Sequence, residues 1–261
     1  MIAGSVVREL FLADARGYMR WIELPGEGPV RVCLHGLGCT GASDFAHVMT
    51  HPALAGGRTL LVDLLGFGLS DRPREFGYGM AAQAAAVAQV LDHLGLTGVE
   101  LIGHSMGGAV AVRLAASRPD LVARLVVAEP NLYPGGGMFS SPVAAQDEET
   151  FVRDGFARML AGVDRPDYAA RLRLADPRAV HRSAVALVEG AAPPEGELLA
   201  ALDRPRAFLV GEYSLPDADA ERMAALGVPV FEVPKAGHNL MLDNPEGFVT
   251  ALVAGLSADA P

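Results

Sequence analysis

The stretch Gly103-His104-Ser105-Met106-Gly107 carries the residue types needed for covalent chemistry. It follows the apolar run Val99-Glu100-Leu101-Ile102 and opens into Gly108-Ala109-Val110-Ala111-Val112, which reads as strand, sharp turn and helix with a serine at the apex. G-x-S-x-G in that setting is a nucleophile elbow. A serine held in a strained backbone conformation needs residues without a Cβ two positions before and two after it. The turn lifts Oγ clear of the sheet and aims the unpaired N–H groups of a helix N-terminus at the place where negative charge develops. Such a serine attacks a carbonyl carbon only if a base takes its proton and a third group orients that base.

Of the seven histidines, His35 and His104 sit in glycine motifs, while His47, His51, His93 and His181 fall on predicted helices or their ends. His238, in Lys235-Ala236-Gly237-His238-Asn239, lies between the last predicted strand and the last predicted helix. From there it can reach back across the strand ends, take the Oγ proton as general base and return it to the leaving group. Three carboxylates are candidates for the orienting group. Glu129, in Ala128-Glu129-Pro130, ends the strand that follows the elbow helix and so lies at the same carboxyl edge. Glu212 and Asp217 follow the strand ending at Gly211, and Asp217 is equally explained as the first residue of a helix, favoured there by the dipole. Glu129 is preferred, and the choice among the three stays open.

These residues need elements to hold them. Residues 5–24 alternate weakly and break at Ala13-Asp14-Ala15-Arg16-Gly17, which predicts a β-hairpin. Short apolar strands are predicted at Val30–Leu34, Arg58–Val62, Val99–Ile102, Arg124–Ala128, Ala207–Gly211 and Val228–Val233. Helical stretches alternate with them: within Ser43–His51, Tyr78–Leu94, from the elbow to Ser117, around Asp217–Leu226, and from Pro245. Near-continuous apolar strands alternating with helices predict a parallel sheet covered on both faces, with ligands bound beyond the strands' carboxyl ends. Residues 131–203 break the pattern, with Pro134-Gly135-Gly136-Gly137 followed by helical pieces at about 147–161, 166–175 and 177–189, and Pro193-Pro194 closing the stretch. The expectation is one core domain from 1–130 and 204–261, with 131–203 inserted as a helical lid. Leu132, Tyr133, Met138, Phe139, Phe151, Phe156, Met159 and Leu160 would give that lid an apolar underside, with His181 as a polar contact.

The net charge of −10 among 261 residues argues against nucleic acid and anionic membrane as partners. A small-molecule substrate is expected, with the oligomeric state open. Met1 to Glu9 show no charged region followed by an apolar stretch, which predicts no signal peptide. Cys33 and Cys39, the only cysteines, do not form a disulfide framework, so a reduced, cytoplasmic protein is expected. No C-x-x-C spacing and no dinucleotide fingerprint occurs, and neither a metal nor a nucleotide cofactor is expected.

Taken together, His35-Gly36-Leu37-Gly38, Asp63-Leu64-Leu65-Gly66-Phe67-Gly68-Leu69-Ser70, Gly103-His104-Ser105-Met106-Gly107 and Gly237-His238 resemble, in this order, the motifs of serine hydrolases of the α/β-hydrolase fold superfamily. The resemblance covers essentially the whole chain. It implies a doubly wound, mostly parallel sheet with a lid, and an oxyanion hole formed by the backbone N–H groups of Leu37 and Met106. It gives Asp63 a structural role. Many relatives carry the catalytic acid three residues after the glycine that ends the strand following the lid, and here that position is Ser214. Haloalkane dehalogenases and zearalenone-lactonase-like members place the acid after the preceding strand, and the pattern around Glu129 is similar to theirs. Dehalogenases and epoxide hydrolases of this fold attack with an aspartate, so Ser105 disfavours both activities. The activity expected is hydrolysis of a carboxylic ester or lactone through an acyl-serine. Amide or carbon–carbon bond hydrolysis on the same residues, or a small-molecule receptor built on this fold, are the alternatives.

Overall fold

A computed structural model describes residues 6–259, so the reading of the first five residues lies outside the described part. The hairpin is formed by β1 (Val6–Leu12) and β2 (Gly17–Leu24), paired antiparallel with Leu12 opposite Gly17. β3 (Gly28–Leu34), α1 (Gly41–Met49), β4 (Gly57–Asp63), α2 (Met80–His93), β5 (Val99–His104), α3 (Met106–Ser117) and β6 (Val122–Ala128) follow in strict alternation from β3. A helical insertion separates β6 from β7 (Arg206–Gly211), and α10 (Ala218–Ala225), β8 (Val230–Val233), α11 (Leu240–Asp243) and α12 (Pro245–Ser257) complete the chain.

The strands form one sheet in the order β1-β2-β4-β3-β5-β6-β7-β8. β2 pairs antiparallel with β4, and every neighbour from β4 to β8 is parallel. The parallel strands β4, β5, β6 and β7 are largely buried, while β8 at the edge is mostly half-exposed. One apolar cluster joins α2, α3 and the insertion to the sheet, and a second joins α1, α11 and α12 to the other face. That double cover is what the unbroken apolar runs require. After β3 the chain adds β4 on one side, and after β4 it crosses to add β5 on the other. β3 and β5 therefore meet at the switch point, where the loops leaving their carboxyl ends diverge and open a crevice.

The insertion consists of α4 (Ser140–Ala144), α5 (Glu148–Thr150), a π-helical turn Phe151–Gly155, α6 (Phe156–Ala161), α7 (Pro166–Leu172), α8 (Pro177–Glu189) and α9 (Glu195–Ala201). Asp176 caps α8 by accepting from the N–H groups of Arg178 and Ala179, with Pro177 in the first turn. The short helix α11 was not expected, and two helices of the insertion also exceed the sequence expectation. α4 is a single short turn after the glycine run, and α9 begins directly after Pro193-Pro194, which we read as the end of the helical region. Pro194 stands at its N-cap with Glu195 and Glu197 in the first turn, an arrangement that starts a helix rather than closing a segment. β8 begins two residues later than expected. Among the described residues no helix is long and apolar enough to cross a membrane.

Candidate active site

Ser105 sits between β5 and α3 with φ 52° and ψ −120°, a strained conformation for a residue with a Cβ. The local sequence makes it possible. A Cβ on Gly103 would stand 2.7 Å from the Gly108 Cα, and one on Gly107 would overlap the Leu34 carbonyl and lie 2.6 Å from the His35 oxygen. The serine N–H donates to the Ala128 carbonyl at 2.9 Å, so the end of β6 holds the turn from the side.

The register of β5 and β6 pairs His104 with Ala128, which brings Glu129 beside Ser105 at the carboxyl edge. Glu129 itself takes φ 41°, and this turns its side chain toward the loop after β8. Its Oε2 lies 2.7 Å from His238 Nδ1, and its Oε1 accepts the Gly211 N–H at 2.9 Å. His238 Nε2 is 3.1 Å from Ser105 Oγ. A carboxylate accepting at Nδ1 fixes the proton there, leaving Nε2 free to accept the serine O–H. Burial pushes the Glu129 carboxyl up, but hydrogen bonds from His238, the Ser214 hydroxyl and the Gly211 N–H outweigh it and hold it below its ordinary value.

The other carboxylates are engaged elsewhere. Glu212 Oε2 accepts the Lys235 N–H at 2.6 Å, and Asp217 caps α10 by accepting from Ala220 N–H at 2.7 Å. Asp63 accepts from Gly41 and Leu69 N–H at 2.7 and 2.8 Å, tying two loops to β4. Leu37 follows β3 and Met106 begins α3, and among the described residues neither backbone N–H meets a protein acceptor. Leu37 lines the same cavity as Ser105, and Met106 follows the serine in the chain.

These groups open into a cavity of about 1090 Å³ beneath the insertion. Its wall includes Leu37, Ser105, Glu129, His238 and Asn131 from the sheet side, and Met138, Phe139, Val143, Phe151, Met159 and Leu187 from the insertion. The π-helical turn contributes Phe151 and Gly155 to that wall. Four of the expected apolar positions, Met138, Phe139, Phe151 and Met159, face the cavity. Leu132 is fully buried, Tyr133 lies under the Arg222 guanidinium with 4.2 Å to the ring centroid, and Phe156 and Leu160 pack against the core. His181 does not line the cavity: it is buried, bonded at Nε2 to the Gln146 carbonyl at 2.7 Å and packed on Phe151.

Three residues emerge that sequence reading missed. Asn131 has its Oδ1 3.5 Å from Ser105 Oγ. Asp44, fully buried on α1, meets Arg171 Nη1 at 3.0 Å from α7 and accepts the Gly36 N–H at 3.2 Å. Neither Asp44 nor Arg171 belongs to a local motif, so no spacing could single them out. Burial pushes the Asp44 carboxyl up, but the His104 and His35 rings and Arg171 bring it down to about 2.

A depressed carboxylate contributes stability that is complete above its unfolded value and is lost as the pH falls through its folded one. For Asp44 the window runs from 3.8 down to about 2. Urea midpoints are therefore expected to stay level from neutral pH to about pH 5 and then to fall, with Asp44 accounting for about 2 kcal/mol by pH 2. Asp44→Asn should start less stable at pH 7 and lose less on acidification. Parallel profiles for the two proteins would show that Asp44 does not carry this dependence.

A sequence model of the alpha/beta hydrolase fold matches residues 29–182. A 2-hydroxymuconate semialdehyde hydrolase of Pseudomonas putida is 35% identical over 119 residues, covering 43% of this chain and 40% of its own length. A soluble epoxide hydrolase of Corynebacterium sp. is 33% identical over 163 residues, 61% of this chain and 52% of its own length. The chain thus spans about half or less of the length of the curated relatives it matches. Among solved structures, an esterase from Exiguobacterium antarcticum superposes with a TM-score of 0.80 at 24% identity, covering 96% of this chain and 99% of that one. The N-acyl homoserine lactonase AidH superposes with a TM-score of 0.76 at 20% identity over 96% of this chain and 95% of that one. With a parallel sheet wound in this order, a serine at its switch point and a family match over more than half its length, the chain belongs to the alpha/beta hydrolase fold family.

Proposed function

We propose that this protein is a serine hydrolase that cleaves a carboxylic ester or lactone, small and largely apolar, through an acyl-serine intermediate. One observation carries the reading: the unbroken hydrogen-bonded run from Glu129 to His238 to Ser105, at 2.7 and 3.1 Å. In the first half-reaction Ser105 Oγ bonds to the carbonyl carbon while its proton passes to His238 Nε2. The carbonyl oxygen takes the negative charge and is met by the N–H groups of Leu37 and Met106. The tetrahedral centre collapses, the carbon–oxygen bond to the alcohol breaks, and His238 returns the proton to that alcohol. Water then repeats the sequence on the acyl-enzyme, with His238 again as base, and releases the acid. Glu129 stays ionised throughout, holding the ring and balancing the imidazolium.

The insertion acts as a lid that supplies the apolar wall. Met138, Phe139, Phe151 and Met159 suit an uncharged acyl or alcohol group, which favours ester or lactone over a charged substrate. Similarity to an epoxide hydrolase is compatible with this reading, because Ser105 stands at the elbow of this chain.

The test is direct. The protein is expected to be labelled by a fluorophosphonate probe at Ser105 and to turn over p-nitrophenyl butyrate or a simple aliphatic lactone. Labelling without turnover of either would move the reading to amide or carbon–carbon bond hydrolysis. A protein that is neither labelled nor active would be a binding module.

A further inference from the structure

Three side chains of α7 press on the loop that follows β3. Tyr168 donates its hydroxyl to the Leu37 carbonyl at 3.1 Å, and burial raises the pKa of that hydroxyl, keeping it a donor. Leu172 and Tyr168 close over Gly38, where a Cβ would stand 2.8 Å from Leu172 Cδ1 and 3.0 Å from the Tyr168 oxygen. Arg171 is buried, with Nη1 on Asp44, Nη2 on the Asp167 carboxylate at 2.8 Å and Nε on the Asp167 carbonyl at 3.1 Å. Asp44 passes this contact on, since its second oxygen accepts the Gly36 N–H.

The two anchors bracket one peptide. Arg171, through Asp44, holds the N–H of Gly36, and Tyr168 holds the C=O of Leu37. Between them lies the Gly36–Leu37 peptide, whose carbonyl accepts from Cys39 N–H at 3.1 Å and lies 2.8 Å from His35 Nδ1. His35 Nε2 accepts the Leu64 N–H, so Nδ1 carries the proton and donates. Among the described residues the Gly36 N–H, the Gly36 carbonyl and the Leu37 carbonyl are thus all held, while the Leu37 N–H between them meets no protein acceptor.

We propose that Tyr168 and Arg171, the latter acting through Asp44, are positioning residues that hold the Leu37 N–H on the developing oxyanion. The oxyanion hole is then complete only when α7 of the insertion is seated. The proposal rests on the serine-hydrolase reading, in which the Leu37 N–H is an oxyanion donor. A donor held in place before the reaction needs no reorganisation during it, and complete loss of one such donor costs about 10²–10³ in kcat, which sets the ceiling here.

The experiment compares Tyr168→Phe and Arg171→Met with the parent on p-nitrophenyl butyrate, together with inhibition by butylboronic acid, whose serine adduct is tetrahedral and anionic. Circular dichroism establishes that each variant is folded at the assay temperature. Tyr168→Phe keeps the ring that lines the cavity and loses only the hydroxyl. It is expected to lower kcat about tenfold with KM within twofold, and to weaken the boronate by the same factor. Arg171→Met should fall about 10²-fold, and Arg171→Lys should recover part of that loss. A folded Tyr168→Phe with kcat within twofold of the parent overturns the proposal. So does a kcat loss that leaves boronate affinity unchanged, which would mark a purely structural role. If Arg171→Met does not fold, Tyr168→Phe decides alone. Failure of the hydrolase reading shows earlier and separately, as a parent protein with no turnover and no fluorophosphonate labelling, and it would remove the basis of this proposal as well.

Discussion

Ser105→Ala and His238→Ala are each expected to lower kcat on p-nitrophenyl butyrate by about 10⁶-fold, and the double variant is expected to fall no further. The non-additivity follows from the geometry. The Oγ proton has one acceptor in line, His238 Nε2 at 3.1 Å, with the Asn131 side-chain Oδ1 more distant at 3.5 Å. Without the imidazole, Ser105 keeps its proton and is a weak nucleophile. Without the serine, the imidazole has nothing to activate in the first step. Each loss therefore removes the same covalent route, and what survives is binding plus the oxyanion donors. KM should change little, because neither side chain supplies much of the apolar wall. Fluorophosphonate labelling should vanish in Ser105→Ala. A Ser105→Ala protein retaining a hundredth of the parent's kcat would place the nucleophile elsewhere.

Glu129→Gln is expected to cost on the order of 10⁴ in kcat with the fold intact. Glutamine matches the size of glutamate and can still accept the Gly211 N–H through its carbonyl oxygen. Its amide NH₂ then faces His238 Nδ1, where an acceptor stood. The ring answers by moving its proton to Nε2, which turns a donor toward Ser105 Oγ and removes the base. The charge that balances the imidazolium is lost in the same change. Glu212→Ala and Asp217→Ala are expected to stay within a few-fold of the parent, since their carboxylates are held by Lys235 N–H and by the α10 cap. The Ser214 hydroxyl helps to hold the Glu129 carboxyl below its ordinary value, so Glu129→Ala combined with Ser214→Asp is expected to regain part of the lost activity. Activity that survives Glu129→Gln and dies in Asp217→Ala would reassign the orienting acid.

Parts of this site are visible in the sequence for a local reason. The glycines at 103 and 107 are dictated by atoms within a few residues or one strand away, and their presence around a serine is readable without a fold. The apolar runs of β4, β5 and β7 state that both faces of the sheet are covered, because a strand with one wet face alternates. The helices of the insertion are readable at Pro177–Glu189, where Asp176 and Pro177 announce the start. α9 was not, since Pro193-Pro194 looks the same whether it ends one segment or caps the next.

A serine on a glycine-flanked turn, a histidine after the last strand, three eligible carboxylates and a helical stretch between two strands are legible in the residues alone. Which of these meet depends on the packing of the whole chain. Strand order puts β6 between β5 and β7, and the pairing of His104 with Ala128 sets Glu129 beside the serine, within 2.7 Å of a histidine 109 residues away. The meeting of Arg171 with Asp44 is likewise a product of the way α7 lands on the loop after β3, across 127 residues of chain. Local sterics act through neighbouring residues and leave their mark in the sequence. Contacts between distant segments depend on sheet register and helix docking, which the whole core fixes at once.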